Sequence, residues 1–437
     1  MLALAWPIVL ANSAVPLLGL ADTAVIGNTG SVQDLGAIAL GAIVFNFAYW
    51  SFGFLRMGTT GFVAQASGAG DEAEVRATTA RALLLAALLA AGLLVLQRPI
   101  LEVALRLLGP TDDVAARTRI YFVTRIWGAP ASLGIFALLG LFVGLGRTGL
   151  VLRTQLLLNG LNVVLDVLLA GVLGLGVRGI AAGTAIAEWT TLIVALRLAL
   201  PLLRARHADG EPFWPLPRIL DRAKVRRTLA ANTDIMIRTL ALTSGFAWFA
   251  SQGARFGDDV LAANHVLLQL VSASAYLLDG YAHATEVLVG RATGARGLAA
   301  FDAAFRAAAE LAAGTAVVLC GVVALAGPLL VSLLTDLAAV RDLAVEHLPW
   351  AALYVLVSFA AFQLDGVFIG ATRTRDMRNA GVLSLAAFLA ATLLLVPRAG
   401  NTGLWGAFVL YVVVRALTLG VRLPALRRAL VGEAPAP

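Results

Sequence analysis

Asp22 stands in the run PLLGLADTAVIG, residues 16–27, and no other formally charged side chain occurs between Met1 and Val25. An acid in so apolar a setting is disfavoured: insertion scales put a charged side chain near a bilayer centre at about 2.5–3.5 kcal/mol. Such groups persist when they are paired, hydrated or part of an ion pathway. A second acid, Asp166, follows Asn162 by four residues in LNGLNVVLDVLLAG, so a helix presents both side chains on one face. Thr184, in GIAAGTAIAEW on the next apolar segment, adds a hydroxyl. Two carboxylates, an amide oxygen and a hydroxyl form a hard-oxygen set suited to a proton or a small hard cation such as Na+. Two acids in one dry site oppose each other's ionisation, so at least one is expected to hold a proton near neutral pH. No Arg or Lys shares the segment of Asp22. That favours an exchangeable ion site over the alternative, a static salt bridge.

Pro7 and Pro16 precede Asp22 on its segment. Each removes a backbone hydrogen bond and promotes a kink, so filling Asp22 is expected to select between two shapes of that helix. Further ionisable groups fall inside apolar segments: Arg56, Arg125, Arg197, Arg238, Arg415, Asp234, Asp279, Asp365, Glu188 and Glu286. Histidine is scarce and Cys320 is the single cysteine, so no intramolecular disulfide forms and histidine- or thiol-based metal chemistry has little support. No cofactor is expected, and no metal beyond Na+ at Asp22, Asn162, Asp166 and Thr184.

The elements that must position these groups are membrane helices. The chain has 437 residues, 60% of them hydrophobic and 14% charged, where a soluble protein carries about 25% charged residues. A spanning helix needs about 20 mostly apolar residues. Twelve such segments can be marked, near 3–26, 36–66, 76–97, 118–146, 149–173, 178–203, 227–252, 261–291, 299–326, 341–371, 376–397 and 402–424. The alternating ten-residue segments of a β-barrel are absent. The net charge of +7 reflects membrane topology, as the placement of the cations shows. They crowd the connections on one side, above all RHADGEPFWPLPRILDRAKVRR at 206–227, while the first external loop, NTGSVQD, has none. This positive-inside bias places both termini in the cytoplasm and leaves no role for nucleic acid. Met1 opens almost directly on the first segment without the basic stretch of a signal peptide, so that segment is expected to be retained, with a few native residues missing before Met1.

One half of the chain resembles the other. LGLFVGLGRTG at 139–149 meets LDGVFIGATRTR at 364–375, so that Gly140, Phe142, Gly144, Arg147 and Thr148 fall on Gly366, Phe368, Gly370, Arg373 and Thr374. The same offset of 226 brings ASGAG at 66–70 onto ATGAR at 292–296. Six spans per half is an even number, so the repeats are parallel, related by an axis along the membrane normal. The expected fold is an all-α polytopic membrane protein, with about twelve transmembrane helices in two parallel-repeat six-helix bundles around a central cleft. Its parts are an N-lobe (1–205), a cytoplasmic linker (206–226) and a C-lobe (227–437).

The phrases LAWPIVLANSAVPLLGLADTAVIG, NGLNVVLDVLLAGVLGLGVRGIAAGTAIAE, LLDGYAHATEVLVGRATGAR and LDGVFIGATRTRDMRNA resemble the multidrug and toxic-compound extrusion (MATE) transporters, in particular their DinF-like branch. The resemblance covers essentially the whole chain. It implies a secondary antiporter, not an enzyme, that exports organic, often cationic or amphipathic compounds in exchange for H+ or Na+. Asp22 then matches the first-span aspartate whose protonation is linked to bending, and Pro7 the bend-associated proline. Asn162 and Asp166 match the fifth-span amide and acid, and Thr184 a variable sixth-span position. Asp365, Asp279 and Arg238 match positions of the DinF-like pattern, the last two as a buried pair, and Glu286 joins them as a candidate cavity residue. The NorM-like branch carries a seventh-span glutamate that this chain lacks near Leu242 and Thr243, so the coupling ion is assigned to the N-lobe. A lipid-linked saccharide flippase of the same superfamily is the alternative; its phosphate-binding cavity would be markedly cationic. The expected partners are toxic small molecules and the bilayer, and the expected state is a monomer.

Overall fold

Leucine and alanine, both strong helix formers, dominate the apolar segments, and a lipid solvent forces backbone groups to bond within their own helix. The computed structural model, which describes residues 1–13, 31–207 and 212–431, is accordingly helical, with no strand among those residues. Its elements are α1 (Leu2–Ser13), α2 (Val32–Ser51), α3 (Phe54–Gly68), α4 (Glu72–Val95), α5 (Gln97–Leu108), α6 (Asp112–Arg125), α7 (Ala129–Gly144), α8 (Thr148–Asp166) and α9 (Gly176–Arg204). They continue with α10 (Arg222–Ala254), α11 (Asp258–Gly294), α12 (Leu298–Leu334), α13 (Ala338–Gly370) and α14 (Thr374–Val431). Among the described residues nine segments are long and apolar enough to cross a membrane. One of them, α14, is two helices that meet at Gly400, whose φ of 54° and ψ of −132° break the ladder. Polar residues along its length, among them Asn232, Asp234, Arg238, Ser251 and Gln252, keep α10 out of the nine. With α14 counted as two helices and α10 added, eleven of the twelve segments read from hydropathy lie among the described residues, and α1 is the described part of the first.

The chain falls into two compact units: 10–66 with 71–228, and 1–9 with 67–70 and 229–437. Inside each unit the repeat shows itself in how helices touch. A Cβ on Gly140 would sit 2.7 Å from the Arg56 carbonyl oxygen, and one on Gly144 would sit 2.9 Å from that of Thr60. In the second unit Gly366 bears the same relation to Ala282 at 2.4 Å, and Gly370 to Glu286 at 2.6 Å. Each partner lies 226 residues beyond its counterpart, so α7 packs on α3 as α13 packs on α11. Small residues at such crossings let membrane helices approach backbone to backbone. Turns repeat as well: Gly70 and Gly146 have φ of 70° and 65°, and their equivalents Arg296 and Thr372 have φ of 53° and 52°.

The polar stretch after α9 is laced to the start of α4. Arg76, 1% exposed, donates from Nε to the Phe213 carbonyl at 3.0 Å and from Nη1 to that of Arg206. Arg81 Nη1 donates to the Arg218 carbonyl at 2.7 Å. Arg206 pairs with Glu72, Arg218 with Asp71, and Lys224 with Glu74. Partly exposed pairs of this kind contribute about 0–1 kcal/mol each, so the buried Arg76 and its two carbonyls carry more of the attachment.

Candidate functional site

The oxygen cluster forms where α8 and α9 pack together. α9 contributes glycines at 179 and 183, four apart and therefore on one face. A Cβ at Gly179 would lie 2.8 Å from the backbone of Leu169 and Ala170, and one at Gly183 would lie 2.7 Å from Asp166 Oδ1. Removing side-chain bulk at both positions brings the acid against the α9 backbone. Asp166 closes the regular part of α8, and the next turn, Val167–Val172, widens into a π-helix. π-Turns concentrate at functional sites because they change the direction of neighbouring side chains.

Asn162 and Asp166 are fully buried, and Thr184 is nearly so. Asn162 Nδ2 donates to Thr184 Oγ1 at 2.8 Å, and that hydroxyl donates to the Ile180 carbonyl at 3.0 Å. The amide is therefore turned with its nitrogen to the hydroxyl, which gives its carbonyl oxygen the acceptor role in the cluster. A carboxylate, an amide oxygen and a hydroxyl oxygen are donors suited to a proton or to Na+, and are too hard to favour soft metals. The sequence thus placed three of its four oxygen donors together. Asp22 and Pro16 lie outside the described residues, and Pro7 lies within the uninterrupted helix α1.

One turn along α9 from Thr184, Glu188 accepts from Arg125 Nη1 at 2.7 Å, with both side chains buried. The guanidinium also lies over the rings of Phe45 and Tyr49, at 5.1 and 5.6 Å. Gly128 makes this possible, since a Cβ there would fall 1.9 Å from Glu188 Oε2. Sequence reasoning singled out both ions without joining them. The signal that joins Glu188 to the site is its spacing of four from Thr184; nothing in the sequence pointed to Arg125 as its partner, because Arg125 comes from a helix not adjacent in the chain.

In the second unit the candidate cavity residues separate. Arg238, expected to pair with Asp279, instead donates from Nη2 to Asp365. Asp279 lies beside His283, its Oδ2 3.3 Å from Nδ1. The correction is geometric, because α10 and α13 bring Arg238 and Asp365 to one level while Asp279 takes a neighbour four residues along its own helix. Glu286 is buried on α11, its carbonyl against Gly370. Asp234, also buried, accepts from Arg378 Nη1 at 2.8 Å and Thr374 Oγ1 at 3.0 Å, tying the α13–α14 turn to α10.

The MatE family model matches residues 7–168 and 235–392. DNA damage-inducible protein F of Escherichia coli (strain K12) is 40% identical over 418 residues, 95% of this chain and 90% of that protein. A probable multidrug resistance protein NorM of Deinococcus radiodurans is 33% identical over 427 residues, 93% of this chain and 90% of that one. Among solved structures, a crystal structure of MATE in the bent conformation superposes with a TM-score of 0.88 at 19% identity, over 98% of this chain and 96% of that one. A crystal structure of MATE in the straight conformation gives 0.84 at 19% identity, over 98% and 95%.

Proposed function

This chain belongs to the MatE family of multidrug efflux transporters, multi-pass membrane proteins that are not enzymes, and from that premise we propose that it is a secondary antiporter coupled at the Asp166 cluster. It exports organic, often cationic or amphipathic compounds across the bacterial inner membrane in exchange for H+ or Na+, as a monomer with both termini in the cytoplasm. The observation that supports the coupling site is the buried set of Asp166, Asn162 and Thr184, held by the Asn162–Thr184 hydrogen bond and the close approach of Gly183. Asp22 supplies the second carboxylate.

A proton arriving at the cluster neutralises one carboxylate; Na+ instead engages carboxylate and amide oxygens together. Either event removes a buried negative charge and so favours the conformation in which the site is least hydrated. Moving a two-state equilibrium from 1:99 to 99:1 needs a differential affinity of about 10⁴, or about 5.5 kcal/mol. That demand is large for one carboxylate and reasonable for two that share an ion. The first span, with Pro7 and Pro16 before Asp22, is the element this bias would bend.

Purified protein in proteoliposomes tests the reading. Efflux of a fluorescent organic cation should follow an imposed proton or sodium gradient, and Asp22→Asn or Asp166→Asn should uncouple it. Running each gradient alone identifies the ion. Efflux indifferent to both gradients would refute antiport and favour a flippase or channel.

A further inference from the structure

We propose that the interior of the 229–437 unit contains a binding site for an organic anion, built from Arg415, Arg238 and Tyr411 with Phe362 as its apolar wall. The proposal rests on the export reading above and names a class of cargo for it: amphipathic acids.

Three helices supply the groups. Tyr411 and Arg415 lie four apart on the second segment of α14, Phe362 and Asp365 three apart on α13, and Arg238 on α10, so each pair shares a helical face. Tyr411 donates its hydroxyl to the Ala241 carbonyl at 3.1 Å, in space that Gly245 leaves open. Arg238, Asp365 and Arg415 all act electrostatically on that hydroxyl, which puts them in one neighbourhood.

The charges there do not balance. Arg238 and Arg415 are 8% and 7% exposed, and the single carboxylate among them, Asp365, is taken by Arg238. Arg415 makes no ion pair or hydrogen bond among the described residues; its guanidinium lies 5.7 Å from the Phe362 ring. The Nε atoms of both arginines are buried without a hydrogen-bond partner. A buried cation left uncompensated is costly, and a protein tolerates one where a ligand completes it. The planar guanidinium fork matches carboxylate, sulfonate and phosphate oxygens. The half-buried ring of Phe362 beside it suits the apolar part of an amphiphile. A bare organic cation would be repelled by the same groups.

A soluble amphipathic acid and an anionic lipid headgroup present the same chemistry. The test uses the full chain in phosphatidylcholine nanodiscs, titrated with decanoate and with decyltrimethylammonium, which share a ten-carbon chain and differ in charge. Decanoate should bind the wild-type protein more tightly, and Arg415→Gln should weaken it about tenfold or more without changing decyltrimethylammonium. Arg306→Gln, at an exposed position, should change neither. Because Arg415 makes no ion pair or hydrogen bond among the described residues, Arg415→Gln should also keep or raise the thermal midpoint. Replacing part of the lipid with phosphatidylglycerol separates the sources: a raised apparent Kd for decanoate assigns the site to a headgroup, an unchanged one to a soluble acid. Equal binding of the two amphiphiles, decanoate binding indifferent to Arg415→Gln, or unfolding of that variant would each overturn the proposal. No gradient is applied, so such a failure would leave the antiport reading standing.

Discussion

Gly183→Ala places a methyl group against the acid proposed to couple transport. The new carbon would lie 2.7 Å from Asp166 Oδ1, 3.3 Å from Leu165 Cβ and 3.4 Å from the Asp166 nitrogen. Comfortable non-bonded contacts begin at about 3.5 Å, so the carboxylate must withdraw by about 0.8 Å. That exceeds the tolerance of about 0.5 Å within which a site keeps its geometry. Overpacking costs about 1–3 kcal/mol, while replacing a helical glycine by alanine returns about 0.5–1 kcal/mol. Global stability should therefore fall by about 0–2.5 kcal/mol. Where the strain falls on the ion-bound form, 1–3 kcal/mol corresponds to about a 5- to 150-fold loss of apparent ion affinity. The assay is the initial rate of gradient-driven efflux in proteoliposomes as a function of proton or sodium concentration. Gly160→Ala is the control, because it lies on α8 with nothing within 4 Å of the added carbon. A half-saturating ion concentration for Gly183→Ala equal to that of the control would refute the reasoning, since the carboxylate would then have moved without consequence.

Arg125→Ala should destabilise the protein by about 3–5 kcal/mol by leaving Glu188 buried and unpaired, whereas the double change Arg125→Met with Glu188→Leu should recover most of the loss in denaturant unfolding. Gly370→Ala and Gly144→Ala should each cost about 1–3 kcal/mol, because their added carbons meet the carbonyls of Glu286 and Thr60 at 2.6 and 2.9 Å; Gly149→Ala, in open space, should not lower the thermal midpoint. Arg296→Gly should raise stability by about 1 kcal/mol, because φ of 53° is strained for any side chain, and a thermal melt checks it.

Apolar segment length was readable because lipid imposes it, and the resemblance between halves because the same helix crossings need the same missing side chains. Gly140 and Gly366 carried that information directly: each sits where a Cβ would strike a carbonyl. The Asn162–Asp166 face was legible from spacing of four along one helix, and Thr184 from the neighbouring segment. Pairings between helices distant in the chain were not. Arg238 has an acid on α11 and another on α13 within its unit, and only the relative rotation of α10 and α13 selects Asp365. Arg125 and Glu188 met for the same reason, through a glycine at 128 whose role depends on a helix 60 residues further on. A sequence gives the angle of a side chain about its own helix axis but not the turn of one axis against another.

The widened turn at Val167–Val172 makes α8 two helical registers joined at a fault. An α-helix advances about 100° per residue, so deleting one residue from an ordinary span would swing everything beyond it onto the wrong face. Deleting one within this turn would instead let it tighten to the regular pitch while the C-terminal end kept its facing. The carboxylate just before the fault is therefore buffered from length changes beyond it, and variation in the loop at 173–175 can accumulate without turning Asp166 away from Gly183.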